Sequence, residues 1–465
     1  MMDRAKAIEE KIEGYRDDIL RDLGALVAIP SVRGNAKDGM PFGEKSYEAL
    51  QFVLKRAEDM GFQTKNIGSY AGHAEYGKGD EYAAVAVHVD VVPAGDGWKH
   101  EPFSMQEEEG KIYGRGVSDD KGPAICALYG LKAIADLGIT GERRLRVIFG
   151  AGEETGMEDL TAYFAEEPYP VMGFSPDGGY PAVNREAGIL NILAKFKAYD
   201  SVVTRFYGGL VYNAVPAYAV CYVDDKSSQV DALNEHAKSF SHGEYGIKAS
   251  ADRGKIKLES TGLACHAGDA GSGFNAVLNL IRFLADYYQE KAGRAFCQIA
   301  QYIGIETDGT SLGIACDDQV SRRLVLNVGK INFENGKGEI AIDIRYPVMA
   351  KSEPIVETMK EKLSLCSLVL EEDHKPLYVR EDSPLIRVLS EVYRESTGKD
   401  MKLLAYTGGT YARHMGNMAV AFGASFGDGS DGNVHMCDEY MSVDRLMDHA
   451  KICAKAMAAL MCEEI

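Results

Sequence analysis

What this chain lacks narrows its reading first. No stretch reaches the about 18 consecutive apolar residues that suggest a membrane-spanning helix, and the charged segment from Met1 to Glu10 has no apolar centre of the kind a signal peptide needs. The nine cysteines are scattered, odd in number and free of CxxC spacing, so neither a disulfide framework nor a cysteine-zinc cluster is expected. Positive charge is scarce: 51 Lys and Arg stand against 70 Asp and Glu, a formal net charge of -19. Nucleic acid and anionic membrane surfaces are thereby disfavoured as partners, because both are bound through clustered Lys and Arg. Internal repeats and low-complexity linkers are missing too. These absences predict a cytoplasmic, non-membrane protein with reduced thiols, for which cations and small zwitterions are suitable ligands.

What is present is a soluble globular composition, 46% hydrophobic and 26% charged over 465 residues, too long for one ordinary core. Apolar residues at Ile8, Ile12, Tyr15, Ile19, Leu23 and Leu26 predict one amphipathic helix over 3–28. A second is expected over 46–60 with Ser46 as its N-cap. Tyr82 to Val91 reads as a buried strand, 98–113 as a hairpin, 123–137 as a helix of small residues, and Leu145 to Phe149 as a strand. Each strand runs into an acidic turn, and that order suits an α/β sheet with ligands at the carboxyl ends of its strands. From about 187 to 381 the texture changes to strands at 189–196, 217–223 and 256–259 mixed with helices at 275–288 and 353–365. Acidic turns resume only afterwards, before a closing helix at 443–461. The expected architecture is therefore a catalytic α/β domain with a central, mostly parallel sheet, made from 1–186 and 382–465, with an inserted α+β lid domain at 187–381.

The polar residues at strand ends are His88, Asp90, Asp119, Glu153, Glu154, Asp177 and His435. On a strand, His88 and Asp90 would share one face. Two imidazoles with several carboxylates and no thiol favour zinc, manganese or cobalt. Five of the seven suffice for two ions, with one His and one carboxylate on each and one carboxylate shared, leaving two acids for hydrogen bonding and proton transfer. Taken singly, each feature has a plainer explanation. Glu153-Glu154 and Asp119-Asp120 alone read as solvated turns, His266 as a core residue and Arg345 as a surface ion-pair partner. Gly114-Arg115-Gly116 lacks the GK[ST] ending of a phosphate loop.

Together, His88-Val89-Asp90, the segment Gly114-Arg115-Gly116-Val117-Ser118-Asp119-Asp120-Lys121-Gly122 and Glu153-Glu154 resemble the co-catalytic zinc metallopeptidases that include aminoacylases and dipeptidases. The likeness is greatest to the PepV-type, carnosinase-like (Xaa-His) dipeptidases. Matches at 208–216, at Cys265-His266-Ala267 and at Asp343-Ile344-Arg345-Tyr346-Pro347 carry it through the insertion. The resemblance implies two divalent ions, zinc first, with manganese or cobalt as alternatives. His88 and Asp177 would hold one, Glu154 and His435 the other, and Asp119 would bridge them. Asp90 would steady His88, and Glu153 would act as general base on the bridging water. A cis peptide is implied at Asp119-Asp120. Asn213 and His266 would stabilise the oxyanion, and Arg345, Gly409 and Thr410 would hold the substrate carboxylate. The activity implied is hydrolysis of dipeptides with a free N-terminus, with N-acyl-amino-acid deacylation on the same site as the alternative. The length of the lid suggests a monomer, a dimer through the lid being the other option. One departure is His435-Met436-Cys437-Asp438-Glu439, where relatives often carry Pro or Asn.

Overall fold

Residues 83–87, Ala-Ala-Val-Ala-Val, carry no polar side chain, and in the computed structural model, which describes residues 2–463, they are buried in the middle of a sheet. The chain divides into two compact units. One comprises the chain up to Arg185, Leu377–Leu404 and the chain from Gly409 onward; the other comprises Glu186–Pro376 and Ala405–Gly408.

In the first unit the sheet order is Gln63–Ile67, Ala71–Tyr76, Arg144–Gly150, Tyr82–His88, Met172–Ser175, Ala419–Ala421, Ala182–Glu186 and Leu377–Tyr378. The four strands from Arg144–Gly150 to Ala419–Ala421 are mutually parallel, and antiparallel pairing flanks them. Parallel strands need cover on both faces. Part of it comes from helix Lys121–Asp136, which packs on helix Val443–Cys462. Close approach of these two helices requires Gly130, where a Cβ would sit 2.9 Å from the Met457 sulfur.

The N-terminal stripe is buried as its periodicity predicts, but on two helices, Met2–Glu13 and Arg16–Val27. Gly14 weakens the helix at the break, and Tyr15 turns its hydroxyl to Asp136 and its ring to Tyr129, 5.4 Å between centroids. The next helix starts earlier than expected, at Glu44 after Gly43, because Ser46 is buried and donates to Ser31 O instead of capping. The central strand ends at His88. Val89 N–H still bonds to Gly150 O at 3.0 Å, and after it the backbone leaves the ladder, Val91 N–H bonding to Ser31 O at 3.1 Å.

The second unit is α+β. Its eight-stranded sheet runs in the order Ile247–Asp252, Lys255–Thr261, Tyr218–Val223, Val203–Gly208, Val325–Glu334, Lys337–Tyr346, Gly188–Lys197 and Cys366–His374, every pair antiparallel. Alternation along Gly188–Lys197 buries Leu190, Ile192, Ala194 and Phe196 in one core with helices Ala276–Tyr288 and Arg294–Tyr302. Among the described residues no helix is long and apolar enough to cross a membrane.

Candidate active site

The parallel strands of the first unit deliver their polar ends to one place. His88 closes its strand with its ring fully buried, Nδ1 lying 3.0 Å from the Asp90 carbonyl oxygen and Nε2 3.0 Å from Asp119 Oδ1. With the carbonyl as its partner, Nδ1 must carry a proton, which leaves Nε2 as the nitrogen that faces the acids. The other oxygen of Asp119 lies 3.1 Å from His435 Nε2, which is also 3.1 Å from Glu154 Oε2. Asp177 Oδ2 is 3.9 Å from His88 Nε2. One carboxylate thus faces two imidazoles, one through each oxygen. The Asp119–Asp120 peptide is cis, as the resemblance implies.

Asp90 does more than accompany His88. Its carboxylate accepts the backbone N–H groups of Glu153 and Glu154, at 3.1 and 3.2 Å, so it holds the short 3₁₀ turn Glu153–Thr155 that carries both acids. Its Oδ1 is 3.5 Å from His88 Nδ1, farther than its own carbonyl.

Electrostatics follow from this crowding. Burial and the Asp177 charge hold Glu153 well above the ordinary carboxyl range, and burial also raises Glu154. Burial disfavours the charged form of Asp119, but hydrogen bonds from His435 and His88 outweigh it and hold this carboxyl low. His435 is pushed up to about 10 by Asp119 and Glu154. His88 is raised as well, its bonds to Asp119 and Asp90 overcoming the effect of burial. The imidazoles therefore behave as cations placed among acids. A bound divalent cation would meet the same need, and oxygen with imidazole donors is a set suited to zinc, manganese or cobalt. Ligand atoms of His88, Glu153 and Asp177 lie within 4.8 Å of one another, as do those of His88, Asp119 and Glu154.

Gly409 and Thr410 also belong to the first unit; Thr410 is buried, and its hydroxyl oxygen accepts Ala412 N–H at 3.2 Å at the start of the turn Tyr411–His414. Asn213, His266 and Arg345 belong to the second unit. There the Asn213 and His266 segments run side by side, with Ala267 N–H donating to Asn213 O and Val215 N–H to Cys265 O, each at 2.9 Å. Arg345 is buried and pairs side-on with Asp343, Nε to Oδ1 at 2.7 Å and Nη2 to Oδ2 at 2.8 Å, while Nη1 donates to Thr407 O at 3.0 Å.

Sequence reading passed over the residues that support these. Asp159 accepts Gly152 N–H at 2.8 Å and the Tyr411 hydroxyl, and the Tyr411 ring stands edge-on to His88. A Cβ at Gly150 would overlap that hydroxyl. In the second unit Asn327 donates to the carbonyls on both sides of Asn213, those of Tyr212 and Ala214, at 3.1 and 2.9 Å. Glu439 and Arg115 form a buried pair next to the Asp119 and His435 loops. Arg115 lies in the Gly-Arg-Gly motif and Glu439 four residues after His435, and these positions are the only sequence signal for either.

Residues 84–459 match the model of peptidase family M20/M25/M40. The chain is 37% identical over 463 residues to the Bacillus subtilis (strain 168) protein named "Putative dipeptidase YtjP", an alignment covering 97% of this chain and 99% of that one. Its fold resembles that of Dug1p, a di-peptidase from Saccharomyces cerevisiae, with a TM-score of 0.63, 15% identity and 99% of each chain covered. It also resembles human carnosine dipeptidase 1, with a TM-score of 0.60, 15% identity and 98% of each chain covered. A match over most of the length together with the clustered imidazoles and carboxylates identifies the chain as a member of the M20/M25/M40 peptidases, a metallopeptidase that hydrolyses peptide bonds.

Proposed function

We propose that this chain is a dinuclear-metal dipeptidase that cleaves short peptides with a free N-terminus, in practice dipeptides. The observation that carries the reading is Asp119, whose two oxygens face His88 and His435 separately, the arrangement expected of a carboxylate shared between two ions. The relationship to a protein named as a dipeptidase over nearly its whole length supports the substrate class.

His88 and Asp177 would hold one ion, Glu154 and His435 the other, with Asp119 common to both. Such ions, zinc in the first instance, would supply Lewis acidity at the scissile carbonyl and lower the pKa of water. Glu153 is the general base: it takes a proton from the attacking water and returns it to the leaving amine. Burial and the neighbouring Asp177 favour its protonated form, the form from which it returns the proton to the amine. Asp90 fixes the turn on which Glu153 sits. His266 and Asn213 donate to the oxyanion that develops on the carbonyl. Arg345, braced by Asp343, retains N–H groups on both Nη atoms beyond the bonds just described and pairs with the substrate carboxylate, assisted by Gly409 and Thr410.

The test is hydrolysis by chelator-stripped protein resupplied with zinc, manganese or cobalt. The panel contains free dipeptides, Xaa-His dipeptides, tripeptides and N-acetylated amino acids. Metal-dependent cleavage confined to dipeptides with a free amine is the expected result. Cleavage of the acetylated compounds alone would assign the site to N-acyl-amino-acid deacylation instead.

A further inference from the structure

The metal-directed side chains come from five separate segments of the first unit, and the residue that ties two of these together is not among them. Glu439, with 1% of its surface exposed, fills both carboxylate oxygens. Oε1 accepts the N–H groups of Ser118 at 2.9 Å and Asp119 at 3.1 Å; Oε2 accepts Gly116 N–H at 3.0 Å and Arg115 Nη1 at 2.7 Å. Arg115 then extends the link. Its Nη2 donates to Met436 O at 3.0 Å, next to His435, and more weakly to Pro93 O and Ala94 O, just past Asp90. Its guanidinium lies 5.2 Å from the Trp98 ring centre. Antiparallel pairing of Tyr440–Ser442 with Lys111–Tyr113 holds the same two segments in register.

A buried ion pair is a weak source of stability, because desolvation offsets much of the attraction. Here, however, the pair sets a distance. Asp119 must reach His88 with one oxygen and His435 with the other, at 3.0 and 3.1 Å, and a small drift of either loop would leave it serving one side only.

We infer that Glu439, through Arg115, is a positioning residue of the metal centre that fixes the Asp119 carboxylate relative to His435 so that one carboxylate serves two ions. This rests on the dinuclear reading above.

The test is calorimetric titration of zinc into chelator-stripped protein, with circular dichroism and thermal melting alongside. Glu439→Gln keeps the shape of the side chain, but in either amide orientation its NH₂ meets two N–H donors. Zinc affinity should fall about 10- to 100-fold, the usual effect of removing a partner behind a metal ligand, with the helix signal unchanged. Arg115→Lys loses the reach to Met436 O and should weaken zinc in the same direction; it decides the matter if Glu439→Gln does not fold. Leu389→Ala, a core substitution outside these loops, should lower the melting temperature and leave zinc affinity alone. Wild-type affinity for two ions in the folded variants overturns the inference, as does an equal loss in Leu389→Ala. Wild-type protein that takes up fewer than two zinc ions overturns the dinuclear reading itself.

Discussion

Glu153 is a carboxyl set among other acids of the site. Burial and the neighbouring Asp177 favour its neutral form, while its backbone N–H is tied down by Asp90 at 3.1 Å. A carboxyl in this position can be isolated by substitution. Glu153→Gln keeps the volume and removes proton transfer, so kcat should drop about 10²- to 10⁴-fold while zinc uptake by the stripped protein stays close to wild type. Calorimetry and turnover on the same sample separate the two effects, and a parallel loss of zinc would move Glu153 from base to ligand. At this scale much could be read from the sequence, since His88, Glu153-Glu154 and Asp177 follow apolar strand-like runs and Asp119 and His435 lie in glycine-rich turns. Asp90 was legible as a neighbour of His88, but not as the acceptor of two N–H groups 63 and 64 residues away. Backbone donors carry no side-chain signature, so nothing in the residue types announces such a bond.

Among the elements, the closing helix Val443–Cys462 carries a residue whose ionisation opposes the fold. His449 is fully buried on it, with Nδ1 3.0 Å from the Tyr180 hydroxyl, and burial lowers its pKa to about 3. His73, on strand Ala71–Tyr76, is lowered to about 4 chiefly by burial and bonds the Tyr163 hydroxyl. Both folded values lie below the ordinary 6.5. The unfolded chain therefore takes up protons first as pH falls, and stability present above pH 6.5 is lost progressively below it. At pH 5 His449 alone accounts for about 2 kcal/mol of that loss. Urea midpoints measured from pH 7 to pH 4.5 should fall, and fall less steeply in His449→Gln; an unchanged slope in the variant would refute the assignment. The helix itself was visible in the periodicity from Val443 to Met461. The break at Gly14-Tyr15 was not, because the apolar stripe runs on through it and only the contact of Tyr15 with Tyr129 and Asp136 shows where the axis changes.

For the whole molecule, the first unit is assembled from three stretches of chain, and its metal-directed residues are drawn from the first and the last of them. A cation bound by His88, Asp119, Glu154 and His435 would link those stretches and favour the folded state over the unfolded by mass action. With free zinc at a hundred times its dissociation constant, the stabilisation is about 2.7 kcal/mol per site. Chelator-stripped protein should thus melt at a lower temperature than zinc-loaded protein, His435→Ala should recover only part of the difference, and identical melting curves with and without zinc would contradict a metal centre that joins the chain ends. Local periodicity and residue chemistry were enough to read the order of strand, acidic turn and helix, the change of texture near 187 and a donor set suited to divalent metal, while the kind of protein came from the resemblance of its motifs to a known family. Tertiary structure alone decided which groups meet. That Asp119 offers one oxygen to each imidazole and that Glu439 gathers the Asp119 loop depend on contacts between residues far apart in the chain or on backbone N–H groups that every residue but proline possesses.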